Sequence, residues 1–212
     1  MAVTLTTPHT LLGTFQPKNE AARLATNAAI VVLGTLVLTI AAKINVPVWP
    51  VHVSLQSMAV AILAAAFGWR IGVATISLYL VEGLSGLPVF TTGGGMGYVM
   101  SPSFGFILGW LPMTYIVGRA ADHGMSNRPF RLFLAMLAGN AVSFAFGFIW
   151  LMVVASAILQ SGAALPVWLD AGNLLATAYQ GAVQPFIVWD ILKMALAALT
   201  VVGAWNLLGA KR

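Results

Sequence analysis

The sequence feature that most constrains the fold is the apolar run from Pro185 to Leu208 (PFIVWDILKMALAALTVVGAWNLL). A run of this length is sufficient for one helical crossing of a bilayer, which needs about 20 apolar residues. Near its start it carries Asp190 and Lys193, and residues three positions apart lie on the same face of a helix. Each charge costs about 2.5–3.5 kcal/mol at the centre of a membrane helix. Mutual pairing or an anionic ligand on Lys193 would recover that cost. The pair could therefore bind a ligand or could only stabilise the fold, and both interpretations remain open.

The composition indicates an integral membrane protein. Of the 212 residues, 60% are hydrophobic and only 7% are charged, whereas soluble domains carry about 25% charged residues. The pI is about 10.0, but the basic residues stand between apolar runs, so they indicate membrane topology rather than nucleic-acid binding. The chain contains no cysteine, which excludes disulfides and thiolate metal sites. We therefore predict a protein embedded in lipid that binds no nucleic acid.

Six apolar segments predict an all-α bundle of six transmembrane helices. Residues 1–20 are polar and are predicted to form a cytoplasmic tail rather than a signal peptide, followed by a single transmembrane domain over residues 21–210. The second and third spans are short and are joined by a tight turn from Gly68 to Arg70, which favours a compact bundle. The predicted spans are 21–42, 53–67, 71–87, 104–121, 130–159 and 186–208.

The distribution of basic residues predicts the orientation. With the amino terminus inside, eight of the ten Lys and Arg residues lie in cytoplasmic segments, while Lys43 lies outside and Lys193 within a span. The cytoplasmic eight are Lys18, Arg23, Arg70, Arg119, Arg128, Arg131, Lys211 and Arg212. This asymmetry follows the positive-inside rule, so both termini are predicted to be cytoplasmic.

Three irregular segments are then predicted on the outer side, above the charged pair. Asn45 to Pro50 contains two prolines and cannot be regular helix. Gly86 to Gly105 is rich in glycine, so its backbone groups, including those of Gly94 and Gly95, can line a cavity and contact a ligand. Asp170 to Tyr179 is predicted to be a short surface helix. Together these segments favour a pocket open to the outside, although a plain extracellular turn at the glycines is an alternative.

One sequence motif is consistent with an enzymatic function. Gly83 to Gly86 fits the G-x-S-G pattern of intramembrane serine proteases. Such a serine needs a histidine within hydrogen-bond reach, but His9, His52 and His123 lie in the tail or in loops. Their separation also argues against a metal site. No G-x-x-x-x-G-K-[ST] motif is present, so the energy for transport would have to come from other subunits or from the solute gradient.

Four stretches of the chain carry a resemblance to a known family. They are PVWPVHVSLQS (47–57), LYLVEGLSGLPVFTTGGGMGYVMSPSFGFILGW (78–110), GNAVSFAFGFIWL (139–151) and GAVQPFIVWDILKMALA (181–197). These stretches resemble the BioY family, the biotin-capturing membrane components of energy-coupling-factor (ECF) vitamin transporters. The resemblance implies a six-span helical bundle in the bacterial cytoplasmic membrane that binds biotin with high affinity and needs no cofactor.

The resemblance also implies protein partners, namely two ATPase subunits and a transmembrane coupling subunit. The coupling subunit would contact the first helix at Ala21, Ala25 and Ala29. These alanines recur at every fourth position, a pattern of small residues that lets another helix approach closely. Packing within the chain is the alternative interpretation of the same pattern.

Biotin carries a carboxylate and a ureido ring, so its pocket needs a cation and several oriented polar groups. Lys193 would hold the carboxylate or a polar ring group, and Asp190 would orient Lys193 or accept a ureido N–H. The further polar candidates are Gln56, Asn140 and Tyr115, and the apolar candidates are Trp49, Phe90 and Trp189. For each of these, packing in the core is an equally good interpretation.

Two other functions remain compatible with the sequence. A secondary transporter of biotin would use the same pocket without an ATPase partner. A purely structural bundle would need Asp190 and Lys193 only for folding.

Overall fold

The structure of the chain, a computed structural model, describes residues 10, 11, 17, 19–46 and 53–209. Within these residues the chain is almost entirely helical, with one small antiparallel hairpin of strands β1 (Asn45–Val46) and β2 (Val53–Ser54). The helices are α1 (Glu20–Lys43), α2 (Gln56–Leu84), α3 (Phe104–Asp122), α4 (Pro129–Gln160), α5 (Leu174–Ala182) and α6 (Ile187–Gly209).

Five helical stretches in the described part of the chain are long and apolar enough to cross a membrane. Four of them are α1, α2, α3 and α4, and the fifth runs from Ala171 to Leu208 and includes α6. The prediction of an all-helical membrane protein is therefore confirmed at this level, and the chain is a multi-pass membrane protein.

Helix α2 folds back on itself at Gly68. Gly68 has φ 81° and ψ 170°, which is not helical and suits glycine because it has no Cβ. The side chain of Gln56 donates to the hydroxyl of Tyr79 at 2.7 Å, whereas a straight helix would separate these residues by about 35 Å. The two halves of α2 are therefore antiparallel. The sequence located this break at the turn from Gly68 to Arg70.

The fold-back is held by contacts at one end of the bundle, which we call the turn end. The hydroxyl of Ser126 donates to the carbonyl oxygen of Ala65 at 3.0 Å, and in an unbroken helix that oxygen would pair with the amide of Trp69. Gly118 of α3 packs directly on the backbone of Trp69, where a Cβ would clash. The turn end therefore depends on close backbone packing rather than on large side chains.

The glycine-rich stretch forms an irregular segment between α2 and α3. The expected third span reached residue 87, but α2 ends at Leu84 and Gly86 takes φ 108°, which stops the helix. A 3₁₀ helix over Met96–Met100 precedes α3. Gly94 packs against the carbonyl oxygens of Leu87 and Gly83, leaving no room for a side chain. The segment is therefore compact and is anchored to the end of α2.

Candidate functional site

A cavity of about 200 Å³ lies at the end of the bundle opposite the turn end. It is bounded by the starts of α2, α3 and α6, by the glycine-rich segment and by the middle of α4. The polar lining residues are Ser54, Gln56, Ser57, Thr91, Thr92, Ser101, Ser103, Asn140, Ser143, Asp190 and Lys193. The aromatic lining residues are Tyr98, Phe106, Trp110, Phe144 and Phe186. The cavity therefore combines aromatic walls with a limited set of polar groups, as small-molecule sites do.

The charged pair that the sequence singled out faces this cavity. The Nζ of Lys193 lies 2.7 Å from the Oδ1 of Asp190, and the two side chains are only 12% and 8% exposed. The hydroxyl of Ser57, on α2, donates to the same oxygen at 3.0 Å, and it lies 3.4 Å from the Nζ of Lys193, from which it accepts. These bonds compensate part of the cost of removing both charges from water.

Asn140 is the polar lining group with the clearest capacity for a ligand. The residue is 7% exposed and lines the cavity, and its side-chain amide makes no hydrogen bond to any described residue. Because the residue lines the cavity, its donor and its acceptor are available to a hydrogen-bonding ligand. The sequence predicted the need for a partner from the position of Asn140 in the middle of an apolar span.

Gln56 is already hydrogen-bonded within the protein. Its amide nitrogen donates to the hydroxyl of Tyr79 at 2.7 Å, and its amide oxygen accepts from Ser54 at 3.2 Å and from Thr91 at 3.0 Å. The hydroxyl of Tyr79 in turn donates to the carbonyl oxygen of Val89 at 2.7 Å. Gln56 therefore lines the cavity while it holds the glycine-rich segment against α2.

Three helices begin at the cavity, namely α2, α3 and α6. Each helix start carries the positive end of the helix dipole, equivalent to about half an elementary charge. Asp190 lies in the first turn of α6, where its carboxylate offsets part of this potential. The arrangement favours a ligand that carries a carboxylate or electron-rich oxygens.

A group of hydroxyls lies at the start of α3. The Oγ atoms of Ser101 and Ser103 are 2.8 Å apart, and the hydroxyl of Tyr98 is 3.1 Å from the Oγ of Ser103. All three residues line the cavity. The cavity therefore has a second polar region that carries no charged side chain.

The structure places several sequence candidates away from the cavity lining. Phe90 is fully buried and packs against the rings of Tyr79 and Tyr98. Tyr115 is 48% exposed and contacts Trp69 edge to face at the turn end, and Trp189 is 57% exposed.

The remaining sequence candidates, Gly94, Gly95 and Trp49, belong to the predicted loops. Gly94 and Gly95 lie in the glycine-rich segment, where the amide of Gly95 donates to the carbonyl oxygen of Gly83 at 2.6 Å. Neither glycine is among the lining residues. Trp49 falls outside the described residues. Contact of these residues with a ligand stays a prediction.

Other lining residues were not singled out from the sequence. Ser143 follows Asn140 by three positions and so shares its helix face, which was a usable signal. Ser57, Ser101 and Trp110 lie within the quoted stretches, but nothing in their spacing separated them from neighbouring serines and tryptophans. Their identification required the packing of α2 and α3 around the cavity.

The G-x-S-G serine has a structural explanation. The hydroxyl of Ser85 donates to the carbonyl oxygen of Glu82 at 2.8 Å, at the end of α2. Gly83 packs against the ring of Phe90, where a side chain would clash. In the part of the chain that the structure describes, no cluster of three or more His, Asp or Glu side chains is arranged to hold a metal ion.

A helical membrane bundle with a cavity of this kind defines a class, the multi-pass membrane proteins that bind a small solute. Comparison with known proteins gives the family. The profile of the BioY family matches residues 14–210, and the chain belongs to this family. The resemblance predicted from the sequence is therefore confirmed.

Several characterised relatives and one solved structure are similar to the chain. The biotin transporter BioY of Rhizobium etli is 31% identical over 180 residues, covering 81% of this chain and 84% of the relative. The biotin transporter BioY of Rhodobacter capsulatus is 31% identical over 157 residues, covering 70% of this chain and 76% of the relative. Because these relatives are transporters, the expectation that the chain is not an enzyme is confirmed.

The solved structure is that of the S-component for biotin from an ECF-type ABC transporter. It matches with a TM-score of 0.70 at 21% sequence identity, covering 90% of this chain and 95% of that chain. This match shows a shared fold.

Replacing Tyr79 with Phe tests how the cavity wall is held. The variant removes the hydroxyl that joins Gln56 to Val89 and leaves a buried donor and acceptor unpaired, at a cost of about 1–3 kcal/mol. We expect a lower midpoint of thermal unfolding in detergent and faster amide hydrogen exchange at residues 87–95. The control is Tyr179→Phe, because Tyr179 lies on α5 and its side chain is half-exposed. Unchanged exchange at residues 87–95 would show that the Tyr79 hydroxyl does not hold the segment.

Proposed function

We propose that the chain captures biotin from outside the cell as the substrate-binding component of an ECF-type ABC transporter. Its membership of the BioY family supports this function, and the observation that carries it is the cavity that contains the Asp190–Lys193 pair and the unpartnered amide of Asn140. Biotin is an elongated molecule with an apolar thioether ring and chain between two polar ends. The aromatic walls match its middle, and the two polar regions of the cavity match its ends.

The ureido ring fits best against the charged pair. A cyclic urea places N–H donors beside a carbonyl acceptor, and Asp190 and Lys193 place an acceptor beside a donor 2.7 Å away. A ligand carboxylate at the same position would set two anions against one cation, and like charges at close range disfavour each other. We therefore orient the ureido ring on Asp190 and Lys193, with Asn140 as a further hydrogen-bonding group.

The carboxylate then belongs at the other polar region. The hydroxyls of Tyr98, Ser101 and Ser103 stand at the start of α3, where the helix dipole favours a negative charge. Phe106 and Trp110, one and two turns further along α3, line the cavity and supply apolar surface for the chain and thioether ring.

The bundle has six spans in this proposal, and both termini are cytoplasmic. The folded-back α2 contributes two short spans, which supports six crossings from five helical stretches. Arg70 and Arg119 lie at the turn end, whereas Lys43 lies at the cavity end, where it donates to the carbonyl oxygen of Phe90 at 2.7 Å. The positive-inside rule then places the turn end in the cytoplasm and the cavity on the outside of the bacterial cytoplasmic membrane.

ATP-driven uptake would use partner subunits, because the chain carries no P-loop of its own. We propose a transmembrane coupling subunit and two ATPase subunits. Ala21, Ala25 and Ala29 are exposed on α1, so the face of small residues is free of the rest of the described chain. Such a face allows close approach of a helix from the coupling subunit.

The charge pair is tested by equilibrium binding of labelled biotin to the purified protein. Lys193→Ala leaves a polar group of the ligand without its partner and Asp190 without its counter-ion, so we expect a loss of at least about 1–3 kcal/mol, roughly 5- to 150-fold in Kd. Asp190→Asn is expected to weaken binding in the same direction. Arg131→Ala removes an exposed cation far from the cavity and should leave Kd unchanged.

Neutral biotin amide tests the orientation in the same assay. If Lys193 holds the ureido ring, Lys193→Ala should weaken the amide and biotin by the same factor. Wild-type affinity in a folded Lys193→Ala protein would remove this residue from the site. A loss for biotin alone would place the carboxylate on Lys193.

Single cysteines test the topology, since the chain has no cysteine of its own. Ser85→Cys and Ser161→Cys replace exposed residues at the cavity end, and Asn127→Cys replaces an exposed residue at the turn end. A membrane-impermeant maleimide added to intact cells should label the first two variants and should label Asn127→Cys only after lysis. Labelling of Asn127→Cys in intact cells would contradict the proposed orientation.

A further inference from the structure

Ser57 links two helices at the charged pair. It lies in the first turn of α2, whereas Asp190 and Lys193 lie near the start of α6. Its hydroxyl has a single hydrogen, which is directed to the Oδ1 of Asp190 at 3.0 Å. Its oxygen is then left to accept from the Nζ of Lys193 at 3.4 Å. One hydroxyl therefore contacts both members of the pair from a different helix.

These bonds distinguish the two oxygens of Asp190. Ser57 and Lys193 both direct their hydrogens to Oδ1, and Oδ2 accepts from no described residue. Lys193 carries three N–H donors, and two of them point to Asp190 and Ser57. One carboxylate oxygen and one ammonium hydrogen therefore remain for another molecule in the cavity that all three residues line.

We propose that Ser57 is a positioning residue for ligand recognition. By holding Oδ1 of Asp190, it fixes the rotation of the carboxylate so that Oδ2 and the free N–H of Lys193 face the cavity as an acceptor–donor pair. A cyclic urea is the chemical class that such a pair recognises. This inference rests on the proposed function and adds to it a residue that touches the pair rather than the ligand.

Ion pairing alone does not provide this orientation. Asp190 and Lys193 lie on the same helix, three positions apart, so without Ser57 the carboxylate can rotate about its last bond and still contact the ammonium through either oxygen. The hydrogen bond from Ser57 on α2 fixes Oδ1 as the carboxylate oxygen that contacts the ammonium. The expected consequence of losing Ser57 is therefore weaker binding of the ureido ring with the Asp190–Lys193 contact intact.

A double-mutant cycle with biotin binding as the readout tests the proposal. Ser57→Ala should raise the Kd for biotin about five-fold or more, and Ser57→Thr, which keeps the hydroxyl, should stay within two-fold of wild type. In an Asp190→Asn background, adding Ser57→Ala should change the Kd by less than two-fold, because the carboxylate to be oriented is gone. Ser77→Ala, at an exposed serine of α2 away from the cavity, is the matched control.

An altered ligand provides a readout that a merely structural role would not move. Biotin methylated at both ureido nitrogens cannot donate to Asp190, so Ser57→Ala should change its Kd by less than two-fold. Thermal unfolding in detergent, measured alongside, reports whether each variant is folded.

Three results would overturn the inference. They are an unchanged Kd for biotin in Ser57→Ala, equal losses in Ser57→Ala and Ser57→Thr, and the same loss from Ser57→Ala with and without the Asp190→Asn substitution. Failure of the wild-type protein to bind biotin would instead contradict the proposed function, so the two failures are distinguishable.

Discussion

The buried contact between Asp190 and Lys193 is the interaction on which the site depends. Removing two charges from water costs several kcal/mol per ion, and an ion pair recovers this only when its remaining hydrogen-bonding groups are also satisfied. Here one oxygen of Asp190 accepts two hydrogen bonds, while the other oxygen and one N–H of Lys193 have no partner among the described residues, and both residues line a cavity. The protein therefore retains a pair that is only partly satisfied by its own residues, and this is the reason we propose a role for the pair in binding rather than in folding alone.

The fold creates the space beside this pair through two breaks in its helices. The fold-back at Gly68 returns α2 to the cavity end, so that Gln56 and Tyr79 meet and hold the glycine-rich segment. That segment packs on α2 through Gly94, and its residues Thr91, Thr92 and Tyr98 line the cavity. Because α2, α3 and α6 all begin at the cavity, their dipoles add a positive potential where the backbone is irregular. The irregular backbone of the glycine-rich segment thus lines a polar cavity.

The sequence predicted those features that depend on local chemistry. Charges in an apolar run, the break at Gly68 and a polar residue in the middle of a span each carry an energetic cost that is visible without coordinates, and Asp190, Lys193 and Asn140 all line the cavity. The sequence did not predict the direction in which each side chain points. Gln56 lines the cavity, but its amide is occupied by Ser54, Tyr79 and Thr91. Tyr115 lies toward the far end of α3, where it contacts Trp69 at the turn end. Ser57 could not be distinguished from other serines, because its role depends on a contact with a residue 133 positions away.

The most direct test of the central claim is an experimental structure of the protein with bound biotin. The account predicts the ligand inside the cavity, with its ureido ring within hydrogen-bond distance of Asp190 Oδ2 and Lys193 Nζ and its apolar thioether ring beside Trp110 and Phe144. Biotin bound elsewhere on the protein, or Asp190 and Lys193 directed toward lipid with packed side chains in place of the cavity, would contradict it.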